Sequence, residues 1–272
     1  MNALFELRGC GRLVGWGALA MVWVLVAAGC SGGRSWSGQE FEQLRSIDRA
    51  YRVGAFDEAE ARSSELIDAF PEDGRTGVAL YLRGLSRVRL GRREEARADL
   101  LRAMRVSKDA ELRASVEVQL ANFAFDDERY VEAARLYGRV AAHPPRSVGA
   151  DRLWFRYGVS LIREGRFAEA RGALRRVVAS FPKSRFAAIA QRKLAWHRDH
   201  FSVQCGAFSE ARSAGEAARS LRRAGIEASV SRLGRGQATP FVVHAGRYGT
   251  YGAAKNALAS IRAQRSDAFI VP

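Results

Sequence analysis

The sequence predicts a mainly α protein, in which an α-solenoid of helix pairs is followed by a small α+β domain of βαββαβ order. Two internal repeats lead to this prediction. In the middle of the chain, alanines recur every 37 positions, which is typical of stacked helical units. Near the carboxyl end, a strand and glycine-turn motif returns 40 positions later. Two copies of strand, helix and strand predict one sheet with helices on one face and the other face free.

The first 29 residues are expected to be an export signal and not part of the fold. Arg8 and Arg12 form a weak basic region before an apolar stretch from Leu13 to Ala28, and small residues directly precede Cys30. This stretch resembles a bacterial lipoprotein signal, and the resemblance implies that Cys30 becomes the acylated first residue. It also implies a cell-envelope protein that faces the periplasm, with the outer membrane as the expected site of anchoring. The alternatives are an ordinary secretory signal or an uncleaved anchor helix.

The composition fits an extracytoplasmic protein with anionic neighbours. The formal net charge is +15, from 44 Lys and Arg against 29 Asp and Glu. Lipid headgroups, lipopolysaccharide and the carboxylates of wall peptides are such neighbours. Residues 30–39 are small and polar and are predicted to form a tether. With Cys30 acylated and Cys10 removed, Cys205 has no disulfide partner and is expected to be a small core residue.

Residues 40–200 are predicted to form the repeat array. Its repeated alanines are Ala59, Ala96, Ala133 and Ala170, and the positions five residues earlier are Gly54, Gly91, Glu128 and Gly165. Small residues twelve positions earlier would let paired helices approach closely: Gly84, Ala121 and Gly158. The pattern resembles the tetratricopeptide repeat. It predicts four units, at residues 40–72, 77–109, 114–146 and 151–183, and a capping helix over residues 184–198.

Tetratricopeptide arrays use their first helices to bind an extended peptide or a partner helix, and the resemblance implies the same here. The positions that the family pattern places near such a groove are Tyr51, Tyr81, Leu85, Asn122, Phe125 and Phe155. The simpler interpretation of these residues is packing between helices. The partner is expected to be a protein.

The carboxyl-terminal module begins with Val203–Phe208, which reads Val-Gln-x-Gly-x-Phe, and returns to a similar motif at Val243–Tyr248. With these motifs, residues 201–272 resemble the SPOR domain. The resemblance implies a ferredoxin-like or RNP-like fold. It also implies binding to peptidoglycan, in particular to glycan strands stripped of their stem peptides, as found at division septa.

Strand alternation indicates which residues would meet the glycan. One face of the strands is apolar and is expected to pack under the helices, so the other face would carry Ser202, Gln204, Val242 and His244. With strand order 4-1-3-2, Gln204 and His244 would lie side by side at the centre. The glutamine of the family motif carries over to Gln204, and an amide both donates and accepts hydrogen bonds. Phe269 would add a flat apolar surface, with Arg247 at the rim. Some relatives carry an aromatic residue or arginine where this chain has Pro240 and Val242.

No catalytic residue, cofactor or metal site is predicted. His197 and His200 could share a helix face, but no HExxH or paired Cys/His spacing supplies further zinc ligands. An open four-stranded sheet with net positive charge is also the geometry of RNA-recognition modules. The central strands lack interleaved aromatic residues on the free face, and export would separate the chain from RNA. Nucleic-acid binding is therefore not expected.

The sequence thus favours a lipid-anchored envelope protein that binds peptidoglycan and recruits a protein partner, with division sites as one place of action. A first alternative is a tetratricopeptide lipoprotein that assists outer-membrane protein insertion, secretion or pilus assembly and carries an accessory SPOR domain. A second alternative is a regulatory subunit that activates a wall hydrolase.

Overall fold

The computed structural model describes residues 38–71, 73–146, 148–195, 199–232 and 239–271. Eleven helices lie in the described residues, and nine of them precede the first strand. These nine are α1 (Gly38–Val53), α2 (Phe56–Ala69), α3 (Thr76–Arg89), α4 (Arg93–Val106), α5 (Ala110–Asp126), α6 (Tyr130–Ala141), α7 (Ala150–Arg163), α8 (Phe167–Ser180) and α9 (Arg185–Leu194). In the described residues no helix is both long enough and apolar enough to span a membrane.

The chain divides into two compact units, the first ending at Leu112 and the second beginning at Arg113. In the first unit, α1, α2, α3 and α4 pack consecutively. Ala59 and Ala96 are fully buried. A Cβ atom added to Gly84 would lie 3.3 Å from the carbonyl oxygen of Ala96, so the small side chains allow α3 and α4 to approach closely, as the repeat pattern predicts.

A buried ion network connects three helices of the first unit. Asp99 on α4 accepts two hydrogen bonds from Arg83, at 2.9 and 2.6 Å, and one from Arg87 at 2.8 Å. Arg87 and Arg92 also donate to Glu60 on α2, at 2.8 and 2.7 Å. Burial raises the pKa of Glu60, but the hydrogen bonds and charges of the two arginines outweigh burial and leave this pKa below its ordinary value.

In the second unit, α6, α7, α8 and α9 pack consecutively. Ala133 and Ala170 are buried, and a Cβ atom on Gly158 would lie 2.9 Å from a methyl carbon of Leu174. The side chain of Ser184 caps α9 by accepting a hydrogen bond from the backbone nitrogen of Phe186 at 3.1 Å. The helix pairs confirm the predicted tetratricopeptide-like class.

Glu164, directly after α7, is half-buried, and its two carboxylate oxygens differ in hydrogen bonding. Its Oε2 accepts a hydrogen bond from Arg166 at 3.3 Å, while its buried Oε1 has no hydrogen-bond partner among the described residues. Burial raises the pKa of Glu164 against the opposing effect of Arg166. A carboxyl group whose pKa is raised by folding stabilises the fold below its ordinary pKa, and this contribution is lost as the pH rises through the raised value.

We therefore expect Glu164→Gln to raise the melting temperature at pH 7.5 and to leave it nearly unchanged at pH 4, because the amide is neutral at both pH values. Glu169→Gln is the control, since Glu169 also pairs with Arg166 but is exposed and has a lowered pKa. This control is expected to give no gain at pH 7.5. Thermal unfolding of both variants at the two pH values measures the difference. A gain of equal size at both pH values would contradict a charge effect.

The α+β domain follows α9 in the second unit. It comprises β1 (Phe201–Phe208), α10 (Ala211–Arg223), β2 (Ala228–Arg232), β3 (Phe241–Tyr248), α11 (Tyr251–Arg262) and β4 (Phe269–Val271). The strands form one antiparallel sheet in the order β2-β3-β1-β4, which is the predicted order. Both helices pack against the sheet.

The core of this domain lies between the sheet and its helices, as the alternation predicts. Val203 and Cys205 from β1 and Val243 and Ala245 from β3 are buried there. They meet side chains of α10 and α11 that include Ala214, Ala217, Leu221 and Ile261. Thr250 caps α11 by accepting a hydrogen bond from the backbone nitrogen of Ala253 at 3.2 Å.

Candidate functional site

A row of four paired residues crosses the sheet on the face opposite the core. Gln204 on β1 pairs with His244 on β3 and with Phe269 on β4, and His244 pairs with Ser229 on β2. Paired residues of antiparallel strands point to the same side of the sheet. The side chains therefore follow the order Phe269, Gln204, His244 and Ser229, and the central position predicted for Gln204 and His244 is what the register shows.

A second row lies beside the first. Val242 on β3 pairs with Ala207 on β1 and with Ser231 on β2. The hydroxyl of Ser231 lies 3.2 Å from Nδ1 of His244, within hydrogen-bond distance, so the two rows are in contact. Together the rows offer an amide, an imidazole and hydroxyl groups beside one aromatic ring.

The exposure of this face differs from the expectation of a free surface. Phe269 is 49% exposed, Gln204 is half-buried, and Ser229 is exposed. By contrast, Ser202, Val242 and His244 are only 1%, 2% and 7% exposed. These three residues belong to the central strands β1 and β3, as does the half-buried Gln204, whereas Phe269 and Ser229 belong to edge strands. Alternation along a strand gives the face of a side chain but not its depth in the sheet.

Cys205 and Arg247, two further residues of the domain, differ in burial. Burial raises the pKa of the Cys205 thiol to about 11, and its Sγ lies 3.5 Å from the carbonyl oxygen of Val203. An un-ionised buried thiol fits the predicted core role. The side chain of Arg247 is 67% exposed, and its guanidinium lies 3.8 Å from a carboxylate oxygen of Asp199. Arg247 is thus accessible.

Asn122, one of the predicted groove residues in the second unit, lies in a polar network between helices. Its Oδ1 accepts hydrogen bonds from the hydroxyl of Tyr137 at 2.7 Å and from Arg156 at 3.0 Å. Its amide nitrogen donates to Gln119 at 3.2 Å. Burial, opposed by Arg156, raises the pKa of Tyr137 to about 12. Asn122 therefore connects α5, α6 and α7.

The aromatic groove residues of the second unit also have partners within the fold. The guanidinium of Arg156 lies 4.7 Å from the ring centroid of Phe125. Phe155 stacks on Phe186 of α9, with centroids 5.0 Å apart and an interplanar angle of 23°. Both residues are half-buried, so part of each side chain is covered by the fold.

In the first unit, the three predicted groove residues differ in exposure. Tyr81 is buried, whereas Tyr51 and Leu85 are half-buried. The rings of Tyr51 and Phe56 pack with centroids 5.6 Å apart, across the turn between α1 and α2. Packing is thus the first role of Tyr81, and the other two residues keep part of their surface.

Sequence reasoning missed three polar residues of these surfaces. Ser229 and Ser231 alternate along β2, and that alternation was available in the sequence, but their place beside His244 follows only from the register of β2 with β3. Arg156 contacts both Asn122 and Phe125 from 31 to 34 positions away. Arg156 lies on α7, the first helix of the repeat unit that follows α5. That position in the repeat pattern is the signal that could have identified it as a neighbour of Asn122 and Phe125.

Other predictions fall on residues that the structure does not describe. The signal of residues 1–29, Cys30 and His197 lie outside the described residues, while α1 begins at Gly38, within the predicted tether of residues 30–39. In the described parts of the chain, no group of three or more His, Cys, Asp or Glu side chains could hold a metal ion.

Comparison with protein families identifies both modules. Residues 198–272 match the SPOR domain model, and residues 124–193 match a tetratricopeptide repeat model. Both are binding modules. The SPOR domain implies a cell-envelope protein that binds peptidoglycan, and the repeats imply interaction with a protein. A search of curated proteins finds no match to the chain.

Several solved structures resemble the chain at a distance. MamA of AMB-1 is 20% identical, with 59% of this chain and 92% of that chain covered and a TM-score of 0.46. YrrB, described as a tetratricopeptide protein with an unusual peptide-binding site, is 16% identical, with coverages of 58% and 81% and a TM-score of 0.46. TTC0263, a thermophilic tetratricopeptide protein in Thermus thermophilus, is 18% identical, with coverages of 68% and 92% and a TM-score of 0.40.

Proposed function

We propose that this chain is a lipid-anchored envelope protein that binds denuded peptidoglycan glycan through its SPOR sheet and a protein partner through its repeats. The row of Phe269, Gln204, His244 and Ser229 is the observation that carries the proposal. It places an exposed aromatic ring directly beside an amide. Sugar rings stack on aromatic faces, and their hydroxyl and N-acetyl groups hydrogen-bond to amides.

The anchor and the place of action complete the proposal. Acylation at Cys30 would hold the protein to the outer membrane, facing the periplasm, and more than one acyl chain on this residue would make the attachment stable. The wall then lies within reach of the SPOR domain, and tethering raises the local concentration of glycan. Glycan without stem peptides would direct the protein to division sites. No catalytic step is part of this function.

The protein partner would contact the half-buried groove residues of the repeats. Phe125, Phe155, Tyr51 and Leu85 are each half-buried and so keep part of their surface. Apolar surface of this kind suits the apolar side of a partner helix or an extended peptide. Asn122 would act by fixing Arg156 beside Phe125.

Pelleting with insoluble peptidoglycan sacculi tests the glycan proposal. The full chain in mild detergent would be mixed with intact sacculi and with sacculi whose stem peptides an amidase has removed. We expect more protein in the pellet with denuded sacculi, and we expect this fraction to persist at high salt. Binding that disappears at high salt would mean only that a basic protein meets an acidic polymer.

Gln204→Ala is expected to weaken pelleting on denuded sacculi by about five- to tenfold, because it removes one or two hydrogen bonds worth about 0.5–1.5 kcal/mol each. Gln191→Ala is the matched control, since Gln191 is an exposed glutamine on α9, away from the sheet. Binding isotherms of the two variants with denuded sacculi give the comparison. Equal affinities for the two variants would remove Gln204 from the site.

An assembly factor for outer-membrane proteins, secretion or pili is the second candidate. The burial of Ser202, Val242 and His244 favours it, because a sheet with three of its predicted contact residues covered offers glycan less surface. Absence of pelleting on either form of sacculi would make this function the better one. The repeats would then carry the activity, and the SPOR domain would be accessory.

A further inference from the structure

The last two repeats and the SPOR domain share one hydrophobic cluster. Phe201, the first residue of β1, is 2% exposed and packs with Leu161 of α7 and Leu174 of α8. Ala254 of α11 belongs to the same cluster. The ring of Phe201 lies 5.7 Å from that of Phe167 and 5.9 Å from that of Tyr251, measured between centroids. The SPOR domain thus contributes side chains from two elements to the core of the repeats.

Polar and aromatic contacts surround this cluster. The guanidinium carbon of Arg163 lies 3.7 Å from the ring centroid of Tyr251 and 5.8 Å from that of Tyr130. The two tyrosine rings meet edge to face at 6.2 Å. Lys255 on α11 forms an ion pair with Glu128 in the turn between α5 and α6. The contacts combine cation–π, aromatic and ionic attraction over one small area.

Two turns of the array, at Gly165 and Glu128, approach the SPOR domain. Gly165, between α7 and α8, has a φ of +82°, and a Cβ atom there would lie 2.0 Å from the carbonyl oxygen of Gly249 in the SPOR domain. Gly91 has the corresponding position between α3 and α4 and a φ of +78°, yet a Cβ atom there would meet nothing within 4 Å. Gly165 is therefore needed for close approach as well as for its backbone conformation.

Glu128 lies in the second of these two turns, between α5 and α6. At the corresponding turn position, Gly54, Gly91 and Gly165 have positive φ values, and Glu128 also has a φ of +58°. Among the described residues, Glu128 is the only residue other than glycine that has a positive φ. A residue with a side chain is disfavoured in this left-handed conformation. The side chain present in this disfavoured conformation is the one whose carboxylate pairs with Lys255 of the SPOR domain.

We propose that the turns Glu128–Tyr130 and Gly165–Phe167 form an intramolecular docking site for the SPOR domain, which receives the start of α11 and Phe201. The site holds the domain in one orientation on the repeats instead of leaving it to swing on a linker. Gln204 lies three residues after Phe201 on β1, so docking also sets the direction of the row that crosses the sheet. The docking site exists whether or not that sheet binds glycan.

Hydrogen exchange of the full chain in mild detergent tests the docking site, with Gly165→Ala compared against Gly91→Ala. Both substitutions place an alanine in a left-handed turn, but only Gly165→Ala collides with the SPOR domain. We expect exchange in peptides from Tyr251–Arg262 to accelerate about tenfold or more in Gly165→Ala and to remain unchanged in Gly91→Ala. Equal exchange of these peptides in the two variants would overturn the proposal.

Reversing the charges of Glu128 and Lys255 by substitution tests the same docking site without altering a glycine. Glu128→Lys and Lys255→Glu each place like charges together, and the double variant restores an ion pair. We expect each single variant to accelerate exchange in Tyr251–Arg262 by about two- to fivefold, and the double variant to recover at least half of this change. If the double variant shows the product of the two single effects, the residues are not coupled and the docking site is refuted.

Discussion

Replacing Asp99 with alanine is expected to lower the free energy of opening of α3 and α4 by about 3–5 kcal/mol. Asp99 is 4% exposed and accepts hydrogen bonds from both Arg83 and Arg87. The side chains of the two arginines are themselves only 12% and 16% exposed. The variant would therefore remove the carboxylate that the two guanidinium groups share, leaving Arg83 with the hydroxyl of Ser64 and Arg87 with Glu60.

Glu95→Ala provides the control for this prediction. Glu95 also pairs with Arg87, at 3.4 Å, but its side chain is 54% exposed. An exposed pair contributes about 0–1 kcal/mol, so this variant is expected to change stability little. Native-state hydrogen exchange of peptides from α3 and α4 measures the free energy of opening in both variants. If the two variants lose similar amounts, burial is not what makes the network important.

Phe201→Ala is expected to destabilise the second unit by about 3–5 kcal/mol, because it removes a large buried ring and leaves a cavity between two modules. Phe201 contacts Phe167 of the repeats and Tyr251 of the SPOR domain. The loss should therefore appear in the unfolding of both modules and not in the SPOR domain alone. Scanning calorimetry of the full chain measures the effect.

Phe269→Ala is the matched substitution in the same domain. Phe269 is half-exposed on the edge strand β4, so we expect a loss of stability below about 1 kcal/mol. Its effect should instead appear as weaker pelleting with denuded sacculi, since it removes the aromatic end of the row. A large loss of stability from Phe269→Ala, or a small one from Phe201→Ala, would contradict the roles given to the two rings.

The parts of the fold that the sequence predicts are those in which a short pattern determines burial. Ala59, Ala96, Ala133 and Ala170 are all buried, because one small side chain in every unit lies where two helices cross. The alternation along β1 and β3 likewise identifies the residues that pack under the helices. Each of these residues depends mainly on its own unit or strand, so periodicity alone is sufficient.

The parts that the sequence does not predict depend on contacts between distant segments. Ser202 and His244 are buried although their strand positions put them on the face opposite the core, and the alternation pattern contains no information about depth. The docking of Phe201 joins β1 to α7 and α8, which precede it by more than 20 positions. Glu128 appeared in the pattern only as a missing turn glycine, and its meaning follows from Lys255 in another module.

The hydrophobic cluster that contains Phe201 and Ala254 determines whether a truncated chain would be soluble. A chain that stops near residue 200 would leave apolar surface of α7 and α8 in water, and a fragment that starts there would expose Phe201. Both fragments would tend to aggregate, because large exposed apolar patches promote association. The phenotype of such a deletion would combine insolubility with lost wall binding. Point variants that leave the cluster intact, such as Gln204→Ala, separate the two effects in a living cell.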